Sequence, residues 1–220
     1  MKQYAVIFDM DGTLLQTDQL AIPAFEQMWE GLQQEGYILG DVPTRETILH
    51  CLGKTLDEIW AALFGSGVDQ NGIKERAEQH LTSAELEILQ KGQVQLYPGT
   101  IRVLAKLHGA GYPIFVASNG QDSYVQAVCS TFQIHSYIQE IYTAGKFGTA
   151  SKVELVRKLK NKYQFTQGLM VGDRHSDVEA GKLNGFQVAA CAYGFSSSDE
   201  LTGADYYLQS ITEILEIIQS

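Results

Sequence analysis

The stretch that decides the fold is Phe8-Asp9-Met10-Asp11-Gly12-Thr13-Leu14, which continues the apolar run Tyr4–Phe8. A short apolar run without alternation is typical of a strand that is buried on both faces of a parallel sheet. Residues two apart in a strand point the same way, so Asp9 and Asp11 can converge at the carboxyl edge of that sheet. Two carboxylates this close repel each other unless a cation or a shared proton lies between them. The stretch therefore predicts a charged site at the end of the first strand.

Outside residues 16–96, short apolar runs alternate with amphipathic stretches. This alternation predicts an α/β fold, a Rossmann-like parallel sheet with helices on both faces that holds ligands at the carboxyl ends of its strands. Beyond the first strand, the predicted strands are 114–117, 141–143, 169–171 and 188–192. The predicted helices begin at Thr100, Ser123, Ser151, near Ser176 and at Ile211.

Residues 16–96 break this alternation, because their pattern is helical throughout. Apolar residues recur at helical spacing from Leu20 to Leu32, Thr55-Leu56-Asp57-Glu58 has the sequence of a capping box, and a longer helix is predicted over 71–90. The turn Tyr97-Pro98-Gly99 marks the return to the α/β pattern. We therefore expect an α/β core domain of residues 1–15 and 97–220, into which an all-helical cap domain of residues 16–96 is inserted.

Composition and charge exclude several classes of function. Of the 220 residues, 26 are acidic and 16 are Lys or Arg, which gives a net charge of −10. An acidic chain gains nothing from attraction to a phosphate backbone, so no nucleic-acid partner is expected. No apolar run approaches the roughly 20 residues of a membrane span, so no membrane partner is expected either. Three scattered cysteines without metal-ligand spacing (Cys51, Cys129, Cys191) are typical of reduced thiols in a cytoplasmic protein.

Three further motifs carry polar residues at strand ends or helix starts. Ser118-Asn119-Gly120 comes just before a helix, where a hydroxyl and free backbone N–H groups can bind an anion. Thr149-Ala150-Ser151-Lys152 opens another helix, and a lysine in a first turn opposes the macrodipole, so an anionic partner is expected for it. The last motif, Gly172-Asp173-Arg174-His175-Ser176-Asp177, follows the strand 169–171 and adds two carboxylates.

In this order, the four motifs resemble those of the haloacid dehalogenase superfamily, in particular its capped members such as phosphoglycolate phosphatase and β-phosphoglucomutase. The resemblance covers essentially the whole chain. It implies a nucleophile at Asp9, a general acid and base at Asp11, and a lysine, Lys152, that neutralises the phosphate and the nucleophile. Further residues that it implies are Thr13, Ser118 and Asn119 for phosphate binding with Lys152, and Asp9, Asp173 and the Asp11 backbone carbonyl as ligands of a Mg²⁺ cofactor.

Two assignments stay open within this resemblance. Many capped relatives have Lys-Pro-x-Pro where this chain has Lys152-Val153-Glu154-Leu155, so Lys146 in the preceding loop is an alternative for the phosphate-neutralising lysine. Asp177 is expected as a supporting carboxylate, either for the water on the metal or for Lys152.

The resemblance implies a Mg²⁺-dependent phosphatase that hydrolyses a small phosphorylated metabolite, a phosphate monoester, through an aspartyl-phosphate. A phosphomutase of the β-phosphoglucomutase type would use the same residues, and a catalytically silent binding module is a further alternative. Dehalogenases of the superfamily lack the second aspartate, so Asp11 argues against that activity. His50 and Lys54 lie in the loop from which relatives select substrates. The net charge of −8 over residues 16–96 disfavours polyanionic leaving groups.

Overall fold

The computed structural model describes residues 4–65, 72–149 and 151–218, which fall into two compact units. The first, named the α/β unit, comprises the described residues of Met1–Gln16 and Leu96–Ser220. The second, named the helical unit, comprises those of Thr17–Gln95. At both junctions the boundary differs by one residue from the domain limits expected from the sequence.

The helical unit contains α1 (Asp18–Gln34), α2 (Arg45–Cys51), α3 (Leu56–Phe64) and α4 (Ile73–Gln90). The long helices α1 and α4 pack against each other. The apolar stripe of α1 is buried, as its spacing predicts, at Leu20, Ala24, Met28 and Leu32. At the start of α3, the Thr55 backbone N–H donates to Glu58 Oε2 at 2.8 Å, which is the capping box read from the sequence. Asn71, where the last of these helices was expected to begin, lies outside the described residues.

The described part of the α/β unit is built around a six-stranded parallel sheet with the order β3-β2-β1-β4-β5-β6. Its strands are β1 (Tyr4–Phe8), β2 (Ile114–Ser118), β3 (Glu140–Thr143), β4 (Gln167–Gly172), β5 (Gln187–Cys191) and β6 (Tyr206–Leu208). The register pairs Phe8 with Val116 on one side and Val171 on the other. The residues that follow β1, β2 and β4 therefore leave the sheet at the same edge, and the predicted α/β fold is confirmed.

The helices of the α/β unit are α5 (Thr100–Gly109), α6 (Asp122–Thr131), α7 (Ala144–Phe147), α8 (Lys152–Tyr163), α9 (His175–Leu183) and α10 (Ile214–Ile217). Every residue of β2 is buried, so both faces of the sheet are covered. On one face, Ile7, Phe115 and Met170 of the strands pack with Leu155 of α8 and Val178 of α9. In the described ranges, no helix combines the length and the apolar character needed to cross a bilayer.

Two elements near the C-terminus differ from the sequence-based prediction. The strand β6 was not predicted; it has three residues and pairs with β5 at the edge of the sheet. The single helix expected from Ile211 to Ile218 is instead a 3₁₀ turn, Ile211–Glu213, followed by the short α10. Ser210 ends the preceding segment by accepting the Thr212 N–H on its hydroxyl, and this tight cap favours a 3₁₀ start.

The two chain crossings between the units are hydrogen-bonded to each other on the side of the α/β unit. Gln16 Nε2 donates to the Leu96 carbonyl at 3.0 Å, and the Tyr97 N–H donates to the Leu14 carbonyl at 2.9 Å. Leu15 and Leu96 form an antiparallel bridge. The chain therefore leaves and re-enters the α/β unit through adjacent, paired segments.

Candidate active site

Residues from several of the predicted motifs meet at the carboxyl edge of the sheet. Asp9 follows β1, Ser118 ends β2, and Asp173 follows β4. The strand order reverses at β1, because β2 and β3 lie on one side of it and β4 to β6 on the other. Open α/β sheets form their ligand sites in the crevice at such a switch point. The topology therefore places Asp9 and Asp173 on two neighbouring strands at the position where a ligand site is expected.

Lys152, the first residue of α8, contributes a buried positive charge. Its Nζ lies 3.0 Å from Asp9 Oδ1 and 2.6 Å from Asp177 Oδ1, and none of the three residues is more than 3% exposed. Burial by itself lowers the pKa of Lys152, but the carboxylates of Asp177 and Asp9 outweigh it and raise the pKa above its usual value. The two carboxylates therefore favour the charged form of Lys152, which bridges them.

The alternative lysine, Lys146, is exposed, and its Nζ lies 6.0 Å from the centre of the Phe147 ring. Of the two lysines, the structure brings Lys152 to Asp9. The motif that contains Lys152 includes Ala150, which lies outside the described residues.

Asp177 connects the lysine to the start of α9. Its Oδ1 binds Lys152, while its Oδ2 accepts the Arg174 backbone N–H at 2.9 Å and so caps the helix. A Cβ at Gly172 would overlap the Asp177 carboxyl group, so only glycine at that position allows this approach. Of the two alternative roles expected for Asp177, the contact with Lys152 is present in the structure.

The carboxylates of Asp9, Asp173 and Asp177 form a buried cluster, in which Asp9 and Asp173 fit a divalent cation. Each offers an oxygen within 4.8 Å of the others, and Lys152 balances one of the three negative charges. Among the described residues, Asp9 Oδ2 and Asp173 Oδ1 are buried without a hydrogen-bond partner. Burial, and then repulsion from Asp177, raise the pKa of Asp9 well above its usual value and that of Asp173 to about 7. The unpartnered oxygen of Asp173 is a hard ligand of the kind that Mg²⁺ prefers, while Asp9 has one oxygen on Lys152 and one without a partner among the described residues.

The Asp173 carboxyl group is held by a loop that the sequence did not indicate. The Phe195 backbone N–H donates to Asp173 Oδ2 at 2.7 Å, and the Ser196 hydroxyl donates to the Asp173 carbonyl. Gly12, at φ +71°, lies against the same carboxylate, which a Cβ there would overlap. A backbone donor has no side-chain signature, so this contact could not be found from the sequence.

The carboxylate of Asp11 is not part of the cluster of described carboxylates that could bind a metal ion. It is hydrogen-bonded to a tyrosine instead. The Tyr124 hydroxyl donates to Asp11 Oδ1 at 2.6 Å. Tyr124 is 6% exposed and lies in the first turn of α6. The sequence shows a tyrosine early in the helix that follows Ser118, but not that its hydroxyl reaches Asp11.

The predicted phosphate-binding residues lie at the ends of β1 and β2. Ser118 and Asn119 are both buried. Ser118 Oγ accepts the Gly120 N–H at 3.1 Å, which leaves its own O–H able to donate. Thr13 is fully buried, and its carbonyl accepts the Tyr193 hydroxyl at 2.9 Å. The turn after the first strand is thus fixed through its backbone.

The two predicted substrate-selecting residues lie in the helical unit. His50 is exposed in the last turn of α2, and Lys54 lies in the short connection between α2 and α3. Their role in substrate selection stays a prediction.

Comparisons with known proteins place this geometry in a family. The chain matches the haloacid dehalogenase-like hydrolase family over residues 6–191. It is 23% identical to the pyrophosphatase PpaX of Halalkalibacterium halodurans over 99% of this chain and 98% of the relative, and 25% identical to a 5′-nucleotidase of Pseudomonas aeruginosa over 98% and 95%. The chain also aligns with the crystal structure of a predicted phosphoglycolate phosphatase from Haemophilus somnus. The alignment covers 100% of each chain, with a TM-score of 0.83 at 20% identity. The family expected from the four motifs is confirmed, and the chain belongs to the haloacid dehalogenase-like hydrolases.

Proposed function

We propose that this protein is a Mg²⁺-dependent phosphatase that hydrolyses a small phosphate monoester through an aspartyl-phosphate on Asp9. The observation that carries the proposal is the state of the Asp9 carboxylate: Lys152 binds Oδ1, while Oδ2 is buried without a partner among the described residues. One oxygen is thus held in place and the other is available for attack. The relative named as a 5′-nucleotidase and the neighbour described as a predicted phosphoglycolate phosphatase support monoester hydrolysis, and the relative named as a pyrophosphatase supports hydrolytic phosphoryl transfer more generally.

The first half of the reaction is assigned to Asp9 and Asp11. Asp9 Oδ2 attacks the phosphorus atom, the bond to the leaving-group oxygen breaks, and the leaving alkoxide takes a proton from Asp11. Lys152 and the Ser118 hydroxyl donate to the phosphoryl oxygens, where negative charge is concentrated. Asn119 lies beside Ser118, where its amide and the backbone N–H groups before α6 can donate to the same group.

The second half releases phosphate. Asp11, now ionised, accepts a proton from a water molecule that attacks the phosphorus atom, and the bond to Asp9 Oδ2 breaks. Lys152 keeps its contacts with Asp9 and Asp177, so the carboxylate that leaves is stabilised as an anion. Mg²⁺, held by Asp9, Asp173 and the Asp11 carbonyl, would neutralise charge on the carboxylates and on the transferring phosphoryl group.

The proposal assigns selection of the leaving group to the helical unit, as a cap domain. The five basic and thirteen acidic residues of the sequence 16–96 give a net charge of −8, which disfavours leaving groups that carry several negative charges. A small leaving group with little charge is therefore expected, and His50 and Lys54 are the candidates that contact it.

A cytoplasmic location is part of the same proposal. The three cysteines are free and buried, and a reducing compartment keeps such thiols reduced.

The experiment that tests the proposal measures phosphate release from p-nitrophenyl phosphate, phosphoglycolate, a 5′-nucleotide and a hexose phosphate. Each substrate is assayed with Mg²⁺, with EDTA, and with Mg²⁺ restored after EDTA. We expect turnover that EDTA removes and Mg²⁺ restores, with Ca²⁺ a poor substitute because it prefers more ligands at longer distances. Full activity in EDTA would contradict the metal assignment. Isomerisation of the hexose phosphate without phosphate release would indicate a mutase, and no turnover of any substrate would favour a binding module.

A further inference from the structure

We propose that Tyr124 is a positioning residue, which fixes the direction of the Asp11 carboxylate through its hydroxyl. The inference rests on the proposed function, because Tyr124 acts through the carboxylate that is assigned proton transfer. It adds a residue that none of the four sequence motifs includes.

The contact between Tyr124 and Asp11 is short and partly buried. The phenol oxygen lies 2.6 Å from Asp11 Oδ1, the distance of a strong hydrogen bond from a hydroxyl to a carboxylate. Only 6% of Tyr124 is exposed, whereas Asp11 is half-buried. An aspartate side chain has two rotatable bonds, and a bond of this kind selects one orientation among its rotamers. Tyr124 thus orders a side chain that burial alone does not hold.

The ring of Tyr124 is itself held by the segment that ends β2. A Cβ added to Gly120 would lie 3.3 Å from Tyr124 Cδ1, so the ring packs closely over the Gly120 backbone. The Gly120 N–H donates to Ser118 Oγ at 3.1 Å. The start of α6 is anchored to β3 as well, because Thr143 Oγ1 donates to Asp122 Oδ1 at 3.3 Å. The acid–base carboxylate and the proposed phosphate-binding hydroxyl are therefore aligned by one short segment.

The chain offers a matched pair away from this edge. The Tyr163 hydroxyl donates to Glu140 Oε2 at 2.7 Å, and both residues are partly buried. Glu140 is the first residue of β3, so this pair lies at the amino end of its strand and away from the candidate active site. Tyr163→Phe therefore removes a similar phenol–carboxylate hydrogen bond away from the candidate active site. It shows how much of any effect comes from losing a hydrogen bond of this kind anywhere in the protein.

The role predicts a dependence on the leaving group. An alkyl phosphate needs a proton on its departing alkoxide, whereas p-nitrophenolate leaves without one. Tyr124→Phe should lower kcat/KM by about tenfold or more for an alkyl phosphate and by less than about twofold for p-nitrophenyl phosphate. Because kcat/KM reports steps up to phosphoenzyme formation, the later use of Asp11 as a base does not obscure this difference.

The kinetic experiment compares wild type, Tyr124→Phe, Tyr163→Phe, Asp11→Asn and the double variant Tyr124→Phe/Asp11→Asn over monoesters of increasing leaving-group basicity. We expect kcat/KM to fall more steeply with leaving-group basicity in Tyr124→Phe than in wild type. In Tyr163→Phe this dependence should be the same as in wild type. The double variant should be no slower than Asp11→Asn, because both substitutions remove the same function, proton transfer by Asp11. Equal losses on all substrates, or additive losses in the double variant, would overturn the proposal.

A second measurement does not depend on turnover. Crystal structures of wild type and Tyr124→Phe at one pH should show Asp11 in a single rotamer in the first and in a different or divided rotamer in the second, with Ser118 unmoved. An unchanged Asp11 rotamer in Tyr124→Phe would refute the positioning role whatever the activity. If wild type hydrolyses no phosphate ester while the rotamer does change, the proposed function fails and the positioning contact stands.

Discussion

The charged residues at the edge of the sheet and those of the helical unit lie in opposite surroundings. In the α/β unit, the charges of Asp9, Lys152 and Asp173 are buried and contact one another or the backbone. In the helical unit, an ion pair such as Lys91–Glu87 leaves about half of each side chain in solvent. Exposed pairs contribute little free energy, whereas a buried charge is costly unless each group has its partner. Substitutions of the buried charges at the sheet edge are therefore expected to alter chemistry and stability together, whereas substitutions of exposed charges in either unit are expected to have small effects.

The largest expected effect in this comparison comes from Asp9→Asn. The amide is nearly isosteric but a poor nucleophile, so turnover should fall by roughly 10³-fold or more while the thermal transition stays cooperative. Steady-state phosphate release and circular dichroism check this. The matched control is Asp199→Asn, which changes an exposed aspartate and should leave turnover unaltered. An Asp9→Asn variant with near-wild-type activity would remove the covalent mechanism.

A smaller but still large effect is expected from Lys152→Met, compared with Lys146→Met. The first change leaves Asp9 and Asp177 buried without their cation, so kcat should fall by about 100-fold or more and the unfolding free energy by about 3 kcal/mol. The second removes an exposed charge and should change kcat by less than about twofold. Activity assays and urea denaturation measure both. The reverse ranking of the two variants would assign the phosphate to Lys146.

A third prediction concerns the stability of the metal-free α/β unit. Because the pKa of Asp173 is raised to about 7, the folded protein keeps a proton between about pH 4 and pH 7 that the unfolded chain has lost. The resulting stability is fully present below about pH 4 and is lost as the pH rises through 7. Asp173→Asn should therefore stabilise the protein in EDTA at pH 8 by about 2 kcal/mol and flatten its pH dependence.

Urea denaturation in EDTA from pH 5 to pH 8 tests this, with Asp199→Asn again as the control. The amide oxygen of Asn can still accept the Phe195 N–H, so the surrounding loop should persist. Adding Mg²⁺ should reduce or reverse the difference by stabilising wild type alone. If Asp173→Asn is less stable than wild type at pH 8 in EDTA, the ionised Asp173 carboxylate does not destabilise the metal-free protein and the prediction is wrong.

The smallest effect is expected in the helical unit, from Lys54→Ala. If Lys54 contacts the leaving group, KM for the preferred substrate should rise by roughly threefold to tenfold, while KM for p-nitrophenyl phosphate and kcat for both change little. Steady-state kinetics on both substrates measures this, with Lys74→Ala, in the first turn of α4, as a control. Equal shifts on both substrates, or none, would leave selection by this unit unassigned.

The sequence predicted most of the sheet, because five of its six strands carry continuous apolar runs. It missed β6, since three residues at an edge, only one of them buried, show no periodicity. The motifs at strand ends indicated Asp9, Ser118 and Asp173, because strand ends are also where the topology gathers a site. Tyr124 and Phe195 were not found, since they reach the site through contacts made between distant segments, by a hydroxyl in one case and a backbone N–H in the other.

The pairing of Leu15 with Leu96 has a consequence for how such proteins diversify. The segment between them begins and ends at two neighbouring stretches of chain that already share hydrogen bonds, so a change in its length adds little loop-closure entropy. Recombination at these two points would replace the segment between Leu15 and Leu96 without altering the strand order or the residues directly after β1. Such an exchange would leave the residues assigned to catalysis at the sheet edge in place.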